Sequence, residues 1–367
     1  MITPLIYVRG LKVVNDTVFC VSSDGNMEVR GQKMAYDPIF GRMFPYSSGQ
    51  QVKRSIIDQM MTLLGKDRSS HDFVYKITHK GEGKKKLKTL EEGNVWTSCD
   101  PRDPDQLVCG YMKTTSADHA TIKRKAGLAI SSMVPVHVLS SGARPEGATI
   151  DRSDHPHLHR VTVYGPDGNE MTPEEIEAFC VAEKRNVPMK HMVAPQPRVR
   201  GGFVYNLCID PRILFSVTLD KREPALLPGV AEQLIADGWV ENRNVFGPCL
   251  TAPREMRERI IPALANAVID WRITSNQSRA FSPMITAAVV ISNDANRLMY
   301  SIRSKLTGDV EKPSAALVLE EMEGADLFIT PEVESLIYGM EGYKEAIPMA
   351  IENLENRLRE FDYENQI

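Results

Sequence analysis

The order in which strand-like and helix-like apolar patterns follow one another is the sequence feature that most restricts the fold. Segments rich in β-branched and aromatic residues predict strands, and apolar residues at helical spacing predict amphipathic helices. With the polar stretches set aside, the patterns give strand, helix, strand, strand, helix, strand, at 5–21, 48–66, 128–139, 203–220, 253–271 and 284–292. This βαββαβ order is that of ferredoxin-like and RNA-recognition domains. We therefore expect an α+β fold with a modified RNA-recognition or ferredoxin-like core and long insertions.

Several of these elements carry more detailed predictions. The segment 203–220 predicts two strands of one hairpin, and Pro262 is expected to kink the second helix or delay its start. Residues 66–124 are polar and turn-rich, which predicts an irregular surface excursion. Acidic helices are expected at 173–184 and at the C-terminal end, where Pro348 is tolerable only in the first turn.

Length and composition are those of an ordinary soluble protein. The chain has 367 residues, of which 42% are apolar and 25% charged, enough for one large or two ordinary domains. No clear linker divides it, so we expect one elaborated domain over 1–367. No membrane span or signal-peptide pattern is visible, so a cytoplasmic location is expected. The cysteines lack metal-type pairing and are expected to be reduced thiols, at positions 20, 99, 109, 180, 208 and 249.

The net charge of −4 is unevenly distributed. Residues 313–367 contain 13 Asp and Glu against 3 Lys and Arg, whereas residues 1–312 contain 41 basic against 35 acidic residues. A mildly basic body permits a polyanion partner such as a nucleic acid. Two solvated surfaces of opposite sign explain the same counts, so charge alone leaves both interpretations open.

The first predicted helix begins with groups suited to holding an anion. Ser48 is the expected N-cap, and Gln51 three residues later completes a capping box. Helix N-termini attract phosphate, and Gly49 would let the backbone of an anionic chain come close. Ser48 and Gln50 are hydrogen-bond donors, and Lys53 and Arg54 add charge. The alternative is that Ser48 is only a cap and that the Lys-Arg pair is only a solvated face.

Further cations and polar groups favour a phosphate track. The loop before the helix supplies Arg30, Lys33 and Arg42. A turn after the second helix, SNQSRAF, repeats the chemistry with Asn276, Gln277 and Arg279. Arg198 and Arg200 lie just before two glycines, and the alternative for this segment is a flexible basic loop. Neither a P-loop nor a dinucleotide-binding glycine pattern is present, so no nucleotide cofactor is expected.

The strongest enzyme-like cluster is DRSDHPHLHR at 151–160. Extended backbone would place His155, His157 and His159 on one side with carboxylates nearby, a reasonable set of transition-metal ligands. No helical histidine spacing supports such a site, and no nucleophile elbow supports a serine hydrolase. We predict no metal site, and keep a metal-dependent hydrolase as an alternative.

Four stretches together resemble a known family. GNMEVRGQKM, YSSGQQVKRSII, DQLVCGYM and KRKAGLAISSMVPVHVL resemble, in order and spacing, the backbone subunit of type I CRISPR Cascade complexes, in the DevR-like family of repeat-associated (RAMP) proteins. The helix start S-S-x-Q-x-x-K-R is the most specific piece. The resemblance covers roughly the first 140 residues, and beyond them only the element order and the SNQSR turn agree.

The resemblance implies a hand-shaped molecule. A palm with the modified RNA-recognition fold is expected to be built from five segments, about 1–25, 48–66, 126–140, 202–222 and 252–305. Fingers are expected at about 26–47 and 67–125 and a thumb at about 141–201, followed by the acidic helical part 313–367.

The resemblance also implies the function. Copies of a non-catalytic subunit would stack head to tail along the spacer of a CRISPR RNA, associate with other Cascade subunits, and present the bases to target DNA. Ser48, Gln50, Lys53 and Arg54 would contact RNA phosphates, with Gly25, Asn26 and Arg30 beside them. An alternative within the wider family is a type III-like subunit that cleaves bound target RNA with a loop aspartate, for which Asp151 and Asp154 are the available residues.

Overall fold

The computed structural model describes residues 4–19, 32–80, 87–114, 121–144, 149–152, 162–184, 190–193, 198–275, 281–309, 311–331 and 341–366. Within these ranges the chain is a mixed α+β protein with antiparallel sheets, as predicted. No helix in the described parts is both long enough and apolar enough to cross a lipid bilayer.

The elements follow one another in an order that mixes long core strands with short peripheral hairpins. The strands are β1 (Ile6–Thr17), β2 (Met34–Asp37), β3 (Arg42–Pro45), β4 (His71–Lys80), β5 (Leu87–Thr97), β6 (Tyr111–Lys113), β7 (Ile122–Arg124), β8 (Leu128–Ile130), β9 (Val134–Pro135), β10 (Ser141–Arg144), β11 (Thr149–Arg152), β12 (Lys190–Val193), β13 (Arg198–Ile209), β14 (Ser216–Thr218), β15 (Val240–Asn244), β16 (Gly247–Thr251), β17 (Ile285–Ser292), β18 (Ile302–Thr307), β19 (Ser314–Leu319) and β20 (Ala325–Ile329). The helices are α1 (Gly49–Leu63), α2 (Pro104–Cys109), α3 (Pro173–Ala182), α4 (Pro211–Leu214), α5 (Val230–Ala236), α6 (Arg254–Asp270), α7 (Ala295–Ser301) and α8 (Ala346–Arg359).

The main sheet places its strands in the order β10, β13, β1, β17 and β20, and β8 and β9 also pair with β13. All of these pairings are antiparallel. β1 is central because it is apolar on both faces, and Val8, Leu11 and Val14 are fully buried. Among the predicted strands, the fourth therefore lies beside the first, the first beside the third, and the third beside the second.

Helices α1 and α6 pack against each other over one face of this sheet. The predicted apolar stripe of α1 is confirmed, since Val52, Ile56 and Met60 are fully buried. α6 starts at Arg254 and contains Pro262, so the start of the helix is not delayed.

The acidic C-terminal helix belongs to the same core. α8 packs against α6, β17 and β20, and Leu354 and Leu358 are fully buried. Its apolar stripe and the position of Pro348 in the first turn are confirmed. The acidic helix predicted at 173–184 is α3, which carries a complete capping box between Thr172 and Glu175.

The opposite face of the sheet is covered by α7 and β18. Arg9 on β1 is buried there, where its guanidinium donates to the carbonyl of Ile302 at 2.8 Å and to Asn206 Oδ1 at 2.6 Å. Burial lowers the pKa of Arg9 to about 10. The central part of this face is therefore closed to a ligand.

Several local predictions are wrong. The segment 203–220 is not a hairpin, because Pro211 starts α4 and β14 pairs with β16 instead of β13. The polar stretch 66–124 is not irregular, since it contains the β4–β5 hairpin and α2. The predicted strand 128–139 is broken into β8 and β9. For β8, β9 and β14 a pairing partner more distant in sequence decides the local structure, whereas β4 and β5 pair with each other as a local hairpin.

The described cysteines are free thiols, as predicted: Cys99, Cys109, Cys180, Cys208 and Cys249. Burial raises the pKa of Cys109 to about 11, and it also raises the pKa of Cys99, Cys208 and Cys249. These four thiols are therefore neutral at physiological pH and are poor nucleophiles. Cys20 lies outside the described residues.

Candidate nucleic-acid interface

Ser48 caps α1 as predicted, but the capping box is incomplete. The Ser48 hydroxyl accepts a hydrogen bond from the amide of Gln51 at 3.4 Å. The Gln51 side chain does not return to the cap, because its Nε2 donates to Ser275 Oγ at 2.8 Å. This contact brings the first residue of the predicted SNQSR turn to the start of α1.

Gly49 has a packing role. A Cβ atom at this position would lie 3.1 Å from the carbonyl oxygen of Ile130 and 3.3 Å from that of Ser131. Ser47 holds the two segments together, because its amide donates to the carbonyl of Met133 at 3.0 Å and its carbonyl accepts from the amide of Met133 at 2.9 Å. The glycine therefore lets the helix start dock against the segment between β8 and β9.

The two cations of the first turns differ in availability. Arg54 projects into solvent, with 72% of its side chain exposed, and pairs with Asp58 at 3.5 Å. Surface pairs of this kind contribute little stability, so a phosphate can displace the carboxylate. Lys53 is partly buried, and its ammonium donates to the carbonyl of Cys109 at the end of α2 at 2.9 Å. Gln50 is exposed and lies one turn before Arg54.

The β2–β3 hairpin leads into the helix start and carries Lys33 at its base and Arg42 near its tip. Buried Gln32 fixes its base, since its side chain accepts from the amide of Phe19 and donates to the carbonyls of Lys33 and Tyr46. The tip packs Phe40 edge-on against His137, with ring centroids 4.9 Å apart. Arg42 itself is exposed.

Arg198 and Arg200 lie on a strand and not on the flexible loop that their sequence suggests. They begin β13, and Val199 between them is fully buried, so alternation directs both arginines to the opposite side. Arg200 is exposed and lies opposite Gly142 of β10.

These groups lie on elements that contact one another at the β13 side of the main sheet. β3 packs against β9 and β10, both of which pair with β13. On β13, Arg200 lies four residues before Val204, which pairs with Val134 of β9. Four residues of strand span about 13 Å. We define the basic strip as the exposed arginines Arg42, Arg54 and Arg200. Each comes from a different element.

Several predicted site residues lie outside the described residues, so the structure says nothing about their contacts: Gly25, Asn26, Arg30, Asn276, Gln277 and Arg279. The same holds for Asp154, His155, His157 and His159. Asp151 lies on β11 in register with His191. Among the described residues, no group of three metal-ligating side chains is close enough to hold a metal ion.

Comparison with known proteins gives matches only among solved structures. No protein-family profile matches the chain, and no curated protein is similar to it. A chain of a "CRISPR RNA-guided surveillance complex, pre-nicking" is similar with 10% identity and a TM-score of 0.42, over 97% of this chain and 89% of that chain. A chain of a "CRISPR RNA-guided surveillance complex" is similar with 11% identity and a TM-score of 0.37, over 97% of this chain and 84% of that chain.

Proposed function

We propose that the protein is a non-catalytic backbone subunit that grips a single-stranded CRISPR RNA along the basic strip. The observation that carries the proposal is that three exposed arginines, Arg42, Arg54 and Arg200, lie on three separate elements linked through β8, β9, β10 and β13. The dipole of the long helix α1 adds partial positive charge at its N-terminus. Phosphate contacts from such groups hold a strand irrespective of its sequence.

The covered sheet face supports the same mode of binding. Ordinary RNA-recognition domains stack bases on aromatic residues of their open sheet. Here Arg9, α7 and β18 occupy the central part of that face. Binding at the sheet edge through phosphates leaves the bases free to pair with a second strand.

The element order supports a palm assignment. We infer that β1, α1, β8 and β9, β13, α6 and β17 form a modified RNA-recognition palm, and that the β4–β5 hairpin belongs to the fingers. The thumb is assigned to about 141–201. The resemblance extends the proposal to head-to-tail copies of the subunit along the RNA, to other Cascade subunits and to target DNA, in the cytoplasm.

The test is a triple variant, Arg42→Ser, Arg54→Ser and Arg200→Ser, measured for binding to single-stranded RNA of unrelated sequences. We expect affinity to fall by at least about 100-fold, because three charge-assisted phosphate contacts are lost. The slope of log affinity against log salt should fall by about 2. All three side chains are exposed, so the unfolding transition should be unchanged.

The matched control removes three exposed cations at the far end of the α1–α6 pair, with Lys66→Ser, Arg254→Ser and Arg259→Ser. This control should keep both the affinity and the salt slope. If both triple variants lost RNA affinity equally, binding would depend only on net charge, and this would contradict a binding site at the basic strip. Lys53 is left unchanged because its replacement would also release the end of α2.

A further inference from the structure

A polar cavity lies against β7 and the residue that follows it. It has a volume of about 270 Å³, and its lining includes Lys123, Lys125, Asp220, Glu223, Asn244 and Phe246. We call it the Phe246 pocket. Its volume is near the lower end of the range for small-ligand sites.

Phe246 is an exposed aromatic ring on a rigid support. It occupies the two-residue turn between β15 and β16, and 53% of it is exposed. Asn244 is buried and fixes the turn, since its Oδ1 accepts from the amide of Phe246 at 2.9 Å and its Nδ2 donates to the carbonyl of Arg212 at 3.1 Å. An aromatic group held in this way loses little entropy when a flat ligand stacks against it.

Cations surround this ring. The guanidinium of Arg212 lies 5.1 Å from the ring centroid and is itself held by Asp210 at 2.8 Å. The ammonium of Lys125 lies 5.9 Å from the same centroid. Lys123 is two residues away on an extended segment, so its side chain leaves the chain on the same side, about 7 Å from that of Lys125. Both lysines are exposed.

Carboxylates line the other side. Asp220 accepts from the amide of Arg222 at 2.9 Å, and this backbone hydrogen bond lowers the pKa of Asp220. Glu223 is next to Pro224, whose carbonyl accepts from the amide of Lys123 at 2.9 Å and holds the loop against β7. These two acids disfavour a bare phosphate. They suit a ligand that brings hydrogen-bond donors together with its negative charge.

We propose that the Phe246 pocket binds one nucleotide unit. The base lies against Phe246, the phosphate lies between Lys123 and Lys125, and hydroxyl or amino hydrogens of the nucleotide face Asp220 and Glu223. A free nucleotide and a nucleotide of a bound strand share this chemistry. Lys125 is six residues from Ser131 at the helix start, at most about 20 Å of extended chain, so a strand on the basic strip can reach the pocket.

Calorimetric titration of the full chain with adenosine 5′-monophosphate tests this proposal, with adenosine and inorganic phosphate as comparators. We expect the nucleotide to bind more tightly than either fragment. Phe246→Ala should weaken it by about 10-fold or more, because stacking on an aromatic side chain is lost. Phe246→Tyr should retain binding, as should the control Val245→Ala, which alters the exposed neighbour in the same turn. Lys123→Gln with Lys125→Gln should reduce the nucleotide to the affinity of adenosine.

Three results would overturn the proposal: no binding of the nucleotide, equal binding of inorganic phosphate, or unchanged binding in Phe246→Ala. Competition with single-stranded RNA identifies the source of the ligand, since displacement places the pocket on the RNA path and simultaneous binding indicates a free nucleotide. The triple variant of the basic strip should keep mononucleotide binding. Failure of this proposal is therefore distinguishable from failure of the RNA proposal.

Discussion

One buried side chain, Lys12, is expected to contribute a rise of about 5 kcal/mol to the stability of the protein between about pH 7 and pH 10.5. Its ammonium is fully buried under the sheet, where it donates to Thr286 Oγ1 at 2.8 Å and lies 4.9 Å from the ring of Trp271. Burial lowers the pKa of Lys12 to about 7, an effect opposed by Asp270 and reinforced by Arg272.

The direction follows from proton counts. The pKa of Lys12 in the unfolded chain is the ordinary 10.5, so between the two pKa values the unfolded state binds more protons than the folded state. The contribution of Lys12 to stability therefore rises with pH across this window. Below about pH 7 both states are charged, and the folded state bears the full cost of burying the ammonium.

Lys12→Met isolates this effect. Methionine approximates the shape of the side chain, and Thr286 Oγ1 retains the carbonyl of Ile269 as an acceptor at 3.2 Å. Urea unfolding of both proteins should show a difference in free energy that changes by about 2 kcal/mol between about pH 7 and pH 9. A difference that stays constant with pH would mean that the buried amine keeps its ordinary pKa.

Arg124→Met is expected to destabilise the fold by more than about 3 kcal/mol. The guanidinium is fully buried and donates to backbone carbonyls of Leu107, Ile213, Leu214 and Ser216, with Nη2 at 2.8 Å from the Ile213 oxygen. These bonds tie α2, α4 and β14 to β7. Their removal leaves several buried carbonyls without this donor.

Two variants define the origin of that loss. Arg124→Lys should recover little stability, because an ammonium cannot reproduce the planar fork of donors. Lys123→Met changes an exposed neighbour and should stay within about 0.5 kcal/mol of the original protein in urea unfolding. If Arg124→Met unfolded within about 1 kcal/mol of the original protein, the carbonyl cluster would not depend on this side chain.

The elements that the sequence predicted well are those in which local pattern and tertiary packing agree. α1 and α8 have regular apolar stripes, and β17 is a continuous apolar run, so burial selects the structure that the pattern favours. The segment 194–203 misled because its glycines and charges indicate a loop. Arg198 and Arg200 are on a strand because β10 supplies the backbone partner.

The candidate site shows the same limit. The helix cap at Ser48 is a local motif and was predictable, whereas the contact from Gln51 to Ser275 joins positions 224 residues apart. Lys53 looked equivalent to Arg54, but its ammonium donates a hydrogen bond to the carbonyl of Cys109 at the end of α2. In KRK at 123–125, Arg124 is buried and its two neighbours are exposed. Only the alternation of buried and exposed residues along a strand could have predicted this difference, and a three-residue strand is too short to show that pattern. For Phe246 the sequence indicates only that it lies in or near a turn.

The most direct test of the central claim is to identify the nucleic acid that co-purifies when the protein is expressed with its neighbouring genes and a CRISPR array. The account predicts a discrete RNA with repeat-derived ends, bound by several copies of the protein, and its loss in the Arg42→Ser, Arg54→Ser, Arg200→Ser variant. A folded protein that purifies free of nucleic acid, or that carries RNA equally well in the triple variant, would contradict the claim.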